Sequence, residues 1–253
     1  MIRAEWTKLR TVPSTAWLLV GAVAATVAAS AIYADSINVS GCLSPAECPA
    51  DTTKLSLGGV QFGQAVVAVL ALLAVTNEYG TRMIRTTLLA NPRRITVLLA
   101  KASVVTAAAL IAGALGVVGS LLAGRFILDG SGYPLPSLAD GPTLRAAAGS
   151  VLYLGLIALL SLGTGTIIRD TAGAVTAMML LLYVAPFALA LVSDPQLRER
   201  LHRFGPTTAG QAIQATTDLG QLPIAPWAGL GVLAGYTAAA LLIGAVLFTV
   251  RDA

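Results

Sequence analysis

The chain has 253 residues, 56% of them apolar and only 11% charged, with a net charge of +4. An ordinary soluble domain carries about 25% charged residues, so a water-soluble fold is excluded and an all-α membrane protein is the expected class. Arginine outnumbers lysine 13 to 3 and alanine is abundant, a composition that points to a GC-rich bacterial genome.

The charged positions leave six charge-free windows, residues 11–34, 55–77, 102–124, 146–168, 171–193 and 219–250. A 23-residue helix rises about 34 Å, slightly more than a hydrocarbon core of about 30 Å. The windows are apolar all round rather than striped, as lipid-embedded helices are. They predict one transmembrane domain over residues 1–253, with spans at about 14–34, 57–77, 98–124, 146–168, 171–193 and 226–250.

In chain order, Ile2, Trp6 and Leu9 form an apolar face opposite Arg3 and Arg10, the pattern of an interfacial helix. The first window is too long for the apolar region of a cleaved signal peptide, although Ala29-Ser30-Ala31 resembles a cleavage site, so it is read as a retained span. Cys42 and Cys48 follow as CLSPAEC; a disulfide and two unpaired thiols are both open, and no further Cys or nearby His completes a metal-ligand set. In the second span, Gln61 and Gln64 share a face and have two open roles, lining a translocation path or bonding between helices. Gly59 and Gly63, and later Gly231 and Gly235, are GxxxG pairs suited to close helix packing.

Residues 77–101, NEYGTRMIRTTLLANPRRITVLLAK, hold five of the sixteen basic residues. Glu78 to Pro92 reads as a short helix, with Ile84 and Leu88 on one face and Arg82 and Arg85 near its start. Pro92 disfavours helix at Asn91 and ends it. Arg93 and Arg94 then mark a membrane edge. Its basic residues fit lipid anchoring or a handle for a partner. Pro186 removes a backbone donor in the fifth span and predicts a kink that could act as a gate. Leu197, Leu201 and Phe204 form an apolar stripe among Arg198, Arg200 and Arg203, either a short helix or a solvated loop.

Six spans put both termini on one side, and the positive-inside rule decides which. With the termini cytoplasmic, ten basic and four acidic residues lie inside, six basic and eight acidic outside; the outer exception is the arginine group at 198–203. Lys8, Lys54 and Lys101 follow Thr7, Thr53 and Ala100 rather than glycine, so no lysine belongs to a phosphate-cradling P-loop. No window holds Asp, Glu or His, which counts against a proton-coupled carrier without removing a sodium site. The single histidine, His202, lies in the 194–218 loop, and no nucleophile and base pair up, so the chain is read as non-enzymatic.

The string EYGTRMIRTTLLANPRR, followed by Ala100-Lys101, resembles the segment between the second and third spans of ABC exporter permeases of the second type, with the pattern E-Y-x-x-G-x-I-R-x-x-L-x-x-x-P-R-R; EWTKLRT at Glu5–Thr11 is similar to that branch's segment before the first span. Gly80 directly follows Tyr79, so the middle of the motif is shifted. The resemblance implies that residues 78–92 form the coupling helix, with Glu78, Tyr79, Arg82, Ile84, Arg85, Leu88, Pro92 and Arg93 facing an ATPase subunit. It also implies a permease dimer, two ATPase copies carrying the ATP and Mg, an N-terminal interfacial helix and short outer helices before the sixth span. The expected protein is thus a permease subunit in a bacterial cytoplasmic membrane, moving a hydrophobic or amphiphilic solute. Membrane lipids are expected partners, with no nucleic acid and no cofactor on this chain; a gradient-driven carrier or a sensor subunit is the alternative.

Overall fold

The computed structural model describes residues 2–39, 51–81, 83, 93–129, 135–191 and 193–250. Among these, every regular element is helical, and six helical runs are long and apolar enough to cross a membrane. Cys42, Cys48, Arg82, Ile84, Arg85, Leu88 and Pro92 lie outside the described residues.

A short helix α1 (Ile2–Thr11) leads through Val12 into the first spanning helix α2 (Pro13–Val39). Next, α3 (Thr52–Ser56) is capped by Asp51, whose carboxylate accepts from the Lys54 amide, and is followed after Gly59 by the second spanning helix α4 (Val60–Gly80). The third, α5 (Arg94–Leu128), and the fourth, α6 (Gly141–Ile168), are longer than their charge-free windows. Arg169, in the left-handed region at φ 63°, ends α6, and Asp170 caps α7 (Thr171–Met179) by accepting from the Gly173 amide. Two residues therefore reverse the chain.

The fifth span is not one regular helix. After α7, residues Leu180–Val184 form a π-helical turn, and α8 (Ala185–Ala190) completes the span. The expected perturbation at Pro186 takes this form because its ring would clash with the carbonyl of Leu182, four residues earlier, in a regular helix; a wider turn relieves that clash.

The 194–218 segment divides in two. Its first part is α9 (Pro195–Phe204), which projects with its side chains largely exposed. Its second, α10 (Pro206–Gln211) with the 3₁₀ turn Ala212–Gln214, is buried against α6 and the last spanning helix α11 (Pro226–Val250). Pro206, Thr207, Ala209, Gly210, Ile213 and Gln214 are all buried.

Helix α6 lies at the centre, packed on α4, α5, α7 and α11, while α2 covers α4 and α5. Its fully enclosed residues Tyr153, Leu154, Ile157 and Leu162 anchor the core. Gly59 and Gly63 are packing positions: a Cβ on either would come within 2.0 Å of Thr26 atoms in α2, and the Gly59 amide donates to Ser30 Oγ. Gly231 and Gly235 differ: a Cβ on either would meet nothing within 4 Å among the described residues.

Candidate functional site

Four ionised side chains converge where α1 meets the end of α4 and the start of α5. Lys101 Nζ lies 2.8 Å from Glu5 Oε2 and 2.9 Å from Glu78 Oε1. Lys8 Nζ lies 3.0 Å from Glu5 Oε1 and 3.0 Å from the same Glu78 oxygen. Each carboxylate is thus shared by two ammonium groups, and each ammonium bridges two carboxylates.

The sequence builds this ring by simple spacing. Glu5 and Lys8 are three residues apart and so share one side of α1. Glu78 occupies the last turn of α4, and Lys101 the second turn of α5. Opposite charges on adjacent antiparallel helices therefore meet at the same depth. Lys101, Glu5 and Glu78 are buried, whereas the Lys8 side chain is 38% exposed. Two positive and two negative charges compensate one another, which is what makes their burial tolerable.

Burial works against charge on Glu5, but the Lys101 ammonium, helped by Lys8, outweighs it and holds the carboxyl below its ordinary value. Burial likewise works against charge on Lys8, and its hydrogen bonds to Glu78 and Glu5 outweigh that, holding the ammonium above its ordinary value. Beside the ring is a cavity of about 210 Å³, polar where Glu5, Lys8, Glu78 and Lys101 border it and apolar along Leu18, Leu70 and Val105.

At the same end of the bundle, two arginines hold the carboxyl end of α11. Arg94 donates to the carbonyls of Phe248 and Thr249, and Arg169 to that of Leu247. The guanidinium of Arg169 also lies 5.1 Å from the centre of the Tyr79 ring, within cation–π range. Arg93 is exposed at the residue before α5. The ring and the arginine pair thus flank both described ends of the 78–93 segment: Glu78 and Tyr79 where it departs, Arg93, Arg94 and Lys101 where it returns.

A second polar cluster lies deep in the bundle. Tyr153 of α6 donates to the Gln64 side chain of α4, and the Gln211 amide reaches the same Tyr153 oxygen at 3.5 Å. Tyr183, in the π turn, donates to the Gln61 backbone carbonyl. Gln64 is fully enclosed, so here it bonds between helices; Gln61 is only half-buried. Pro186 lies just beyond the turn that carries Tyr183, which joins two residues considered separately for a translocation path.

Reading the sequence in charge-free windows missed the ring because it treated Lys101 as a window boundary. The signal that could have found it was the pairing of Glu78 and Lys101 at matching depths on consecutive spans, with Glu5 and Lys8 one helical turn apart nearby. No protein-family model matches the chain, and no curated protein matches it either; what is established is a helical chain with six helices able to span a membrane.

Proposed function

We propose that this chain is the membrane-spanning permease subunit of an ATP-driven ABC exporter, working as a dimer with separate ATPase subunits in a bacterial cytoplasmic membrane. The observation that carries the reading is the buried ion ring. It ties α1 to the exit of α4 and the return of α5, the two helices joined by the segment that resembles a coupling helix.

In this reading ATP and Mg are held by the partner, and closure of two ATPases pushes on residues 78–92. The displacement reaches α4 and α5 together because Lys101 bridges them through Glu78, and it reaches α1 through Glu5. Alternating exposure of an apolar path then moves a hydrophobic or amphiphilic solute. Arg94 and Arg169 carry the same displacement to α11 through its terminal carbonyls. Positive-inside counting puts this end of the bundle in the cytoplasm, where an ATPase works.

The test is affinity purification of the chain from its host in mild detergent. The expected result is a P-loop ATPase near one copy per permease, lost on Arg85→Glu while membrane insertion persists. Recovery of the intact chain without any ATPase across several detergents overturns the reading in favour of a gradient-driven carrier or a sensor.

A further inference from the structure

The positive-inside rule leaves one anomaly, the cluster Arg198, Arg200 and Arg203 at the end of the bundle opposite the ion ring. The structure gives it a shape. Asp194 caps α9 by accepting from the Gln196 and Leu197 amides, and Thr208 Oγ1 donates to the His202 carbonyl, tying the far end of α9 to α10. Capped at its start and tied to α10 at its end, α9 is a defined helix with a definable face.

At 100° per residue, Leu197, Leu201 and Phe204 fall within one narrow stripe. Arg200 borders it on one side and Arg198 on the other, with Arg203 beyond Arg200. The three apolar side chains are 47%, 37% and 59% exposed, and all three arginines are exposed. Nothing else in the described chain covers the stripe. Phe187 and Leu191, on the adjoining end of the fifth span that contacts α9, are exposed as well, on a helix that the six-span arrangement sets against lipid. Glu199 is the one acid within α9, leaving the helix cationic.

We propose that α9 is a binding surface for anionic lipid in the leaflet opposite the chain's termini: Leu197, Leu201 and Phe204 enter the acyl boundary while Arg198 and Arg200, with Arg203, hold phosphate headgroups. Apolar burial and headgroup attraction on two edges of one stripe are the two components of interfacial-helix binding. The proposal rests on the six-span arrangement and is independent of the transport reading. It accounts for basic residues on the side that the topology rule disfavours, since they serve a bound lipid rather than orientation.

The experiment is hydrogen exchange of the full chain in nanodiscs of phosphatidylcholine, with and without phosphatidylglycerol. Amides of residues 197–204 are expected to exchange more slowly with the anionic lipid, by about fivefold for each arginine engaged, while those of α6 stay unchanged. The slowing should vanish in high salt and in the Arg198→Gln/Arg200→Gln/Arg203→Gln variant. Equal protection in both lipids, insensitive to salt, overturns the proposal in favour of apolar insertion alone. Protection that follows protein concentration in detergent overturns it in favour of a second copy covering the stripe. The glutamine variant is surface-exposed, and retained α6 protection verifies that it is folded.

Discussion

At the scale of single residues, members of the ion ring differ in what their loss costs. Lys101→Met leaves Glu5 without its closest partner and Glu78 with only the half-exposed Lys8, both carboxylates still buried. Removing one partner of a buried pair costs about 3–5 kcal/mol; Lys8→Ala also leaves two buried carboxylates sharing one ammonium, but Lys8 itself is 38% exposed, so its loss should cost less than that of Lys101; thermal unfolding of purified variants in detergent checks the order. The ring also has a defined pH window. Glu5 titrates below its ordinary 4.5 and Lys8 above its ordinary 10.5, so the Glu5 contribution is present above pH 4.5 and lost as pH falls through the depressed value. The Lys8 contribution is present below pH 10.5 and lost as pH rises through the elevated one. Protease sensitivity of α1 should therefore be flat across neutral pH and rise only at the two extremes. Glycines divide as sharply. Gly59→Ala drives a Cβ into the Thr26 carbonyl, a backbone atom that cannot swing aside, while Gly235→Ala meets open space. The first should lose about 1–3 kcal/mol or more and the second almost nothing, read from the same melts. GxxxG spacing is identical at both places, so sequence could mark four candidate glycines but not which pair packs, because that depends on which face each helix turns inward.

At the scale of elements, the spans were legible because charge is expelled from lipid and its absence is written directly in the chain. What spacing could not show was the inward turn of α10: residues 206–215 look like an ordinary outer loop, yet Tyr153 and Leu233 close on Gly210 and bury it. Short, small and polar residues such as Thr207, Gly210 and Gln211 carry no periodicity long enough to betray burial. Pro186 was legible as a perturbation, but its form was not, since a kink and a π turn both answer the same missing donor. The two are separable by mutation. Pro186→Ala permits a regular helix, which would close the wider turn and rotate Phe187, now 69% exposed, by about 100° relative to α7. Lipid-phase labelling of a cysteine at position 187 should fall in the alanine background while the chain still inserts.

At the scale of the whole molecule, the described contacts place α1, the start of α5 and the carboxyl end of α11 at one end of the bundle, and α3, α9 and the Asp51–Thr216 contact at the other. If the ion-ring end is cytoplasmic, a Thr11→Cys probe should react with a membrane-impermeant reagent only after the membrane is opened, and Asp218→Cys should react in intact cells. The reverse pattern would turn the whole arrangement over and remove the ion ring from an ATPase's reach. Helix α5 gives that arrangement an asymmetry. Its apolar stretch runs from Lys101 to Arg125, about 36 Å of rise against a hydrocarbon layer of about 30 Å. Lys101 is fastened to two carboxylates from other helices and cannot slide its ammonium along the bilayer normal, whereas Arg125 is exposed, with Phe126 beside it 83% exposed. Where α5 spans a bilayer, a change in its thickness is thus expected to be met at the Arg125 end, whose guanidinium can bend toward the headgroups, rather than at Lys101, which the ring holds in place.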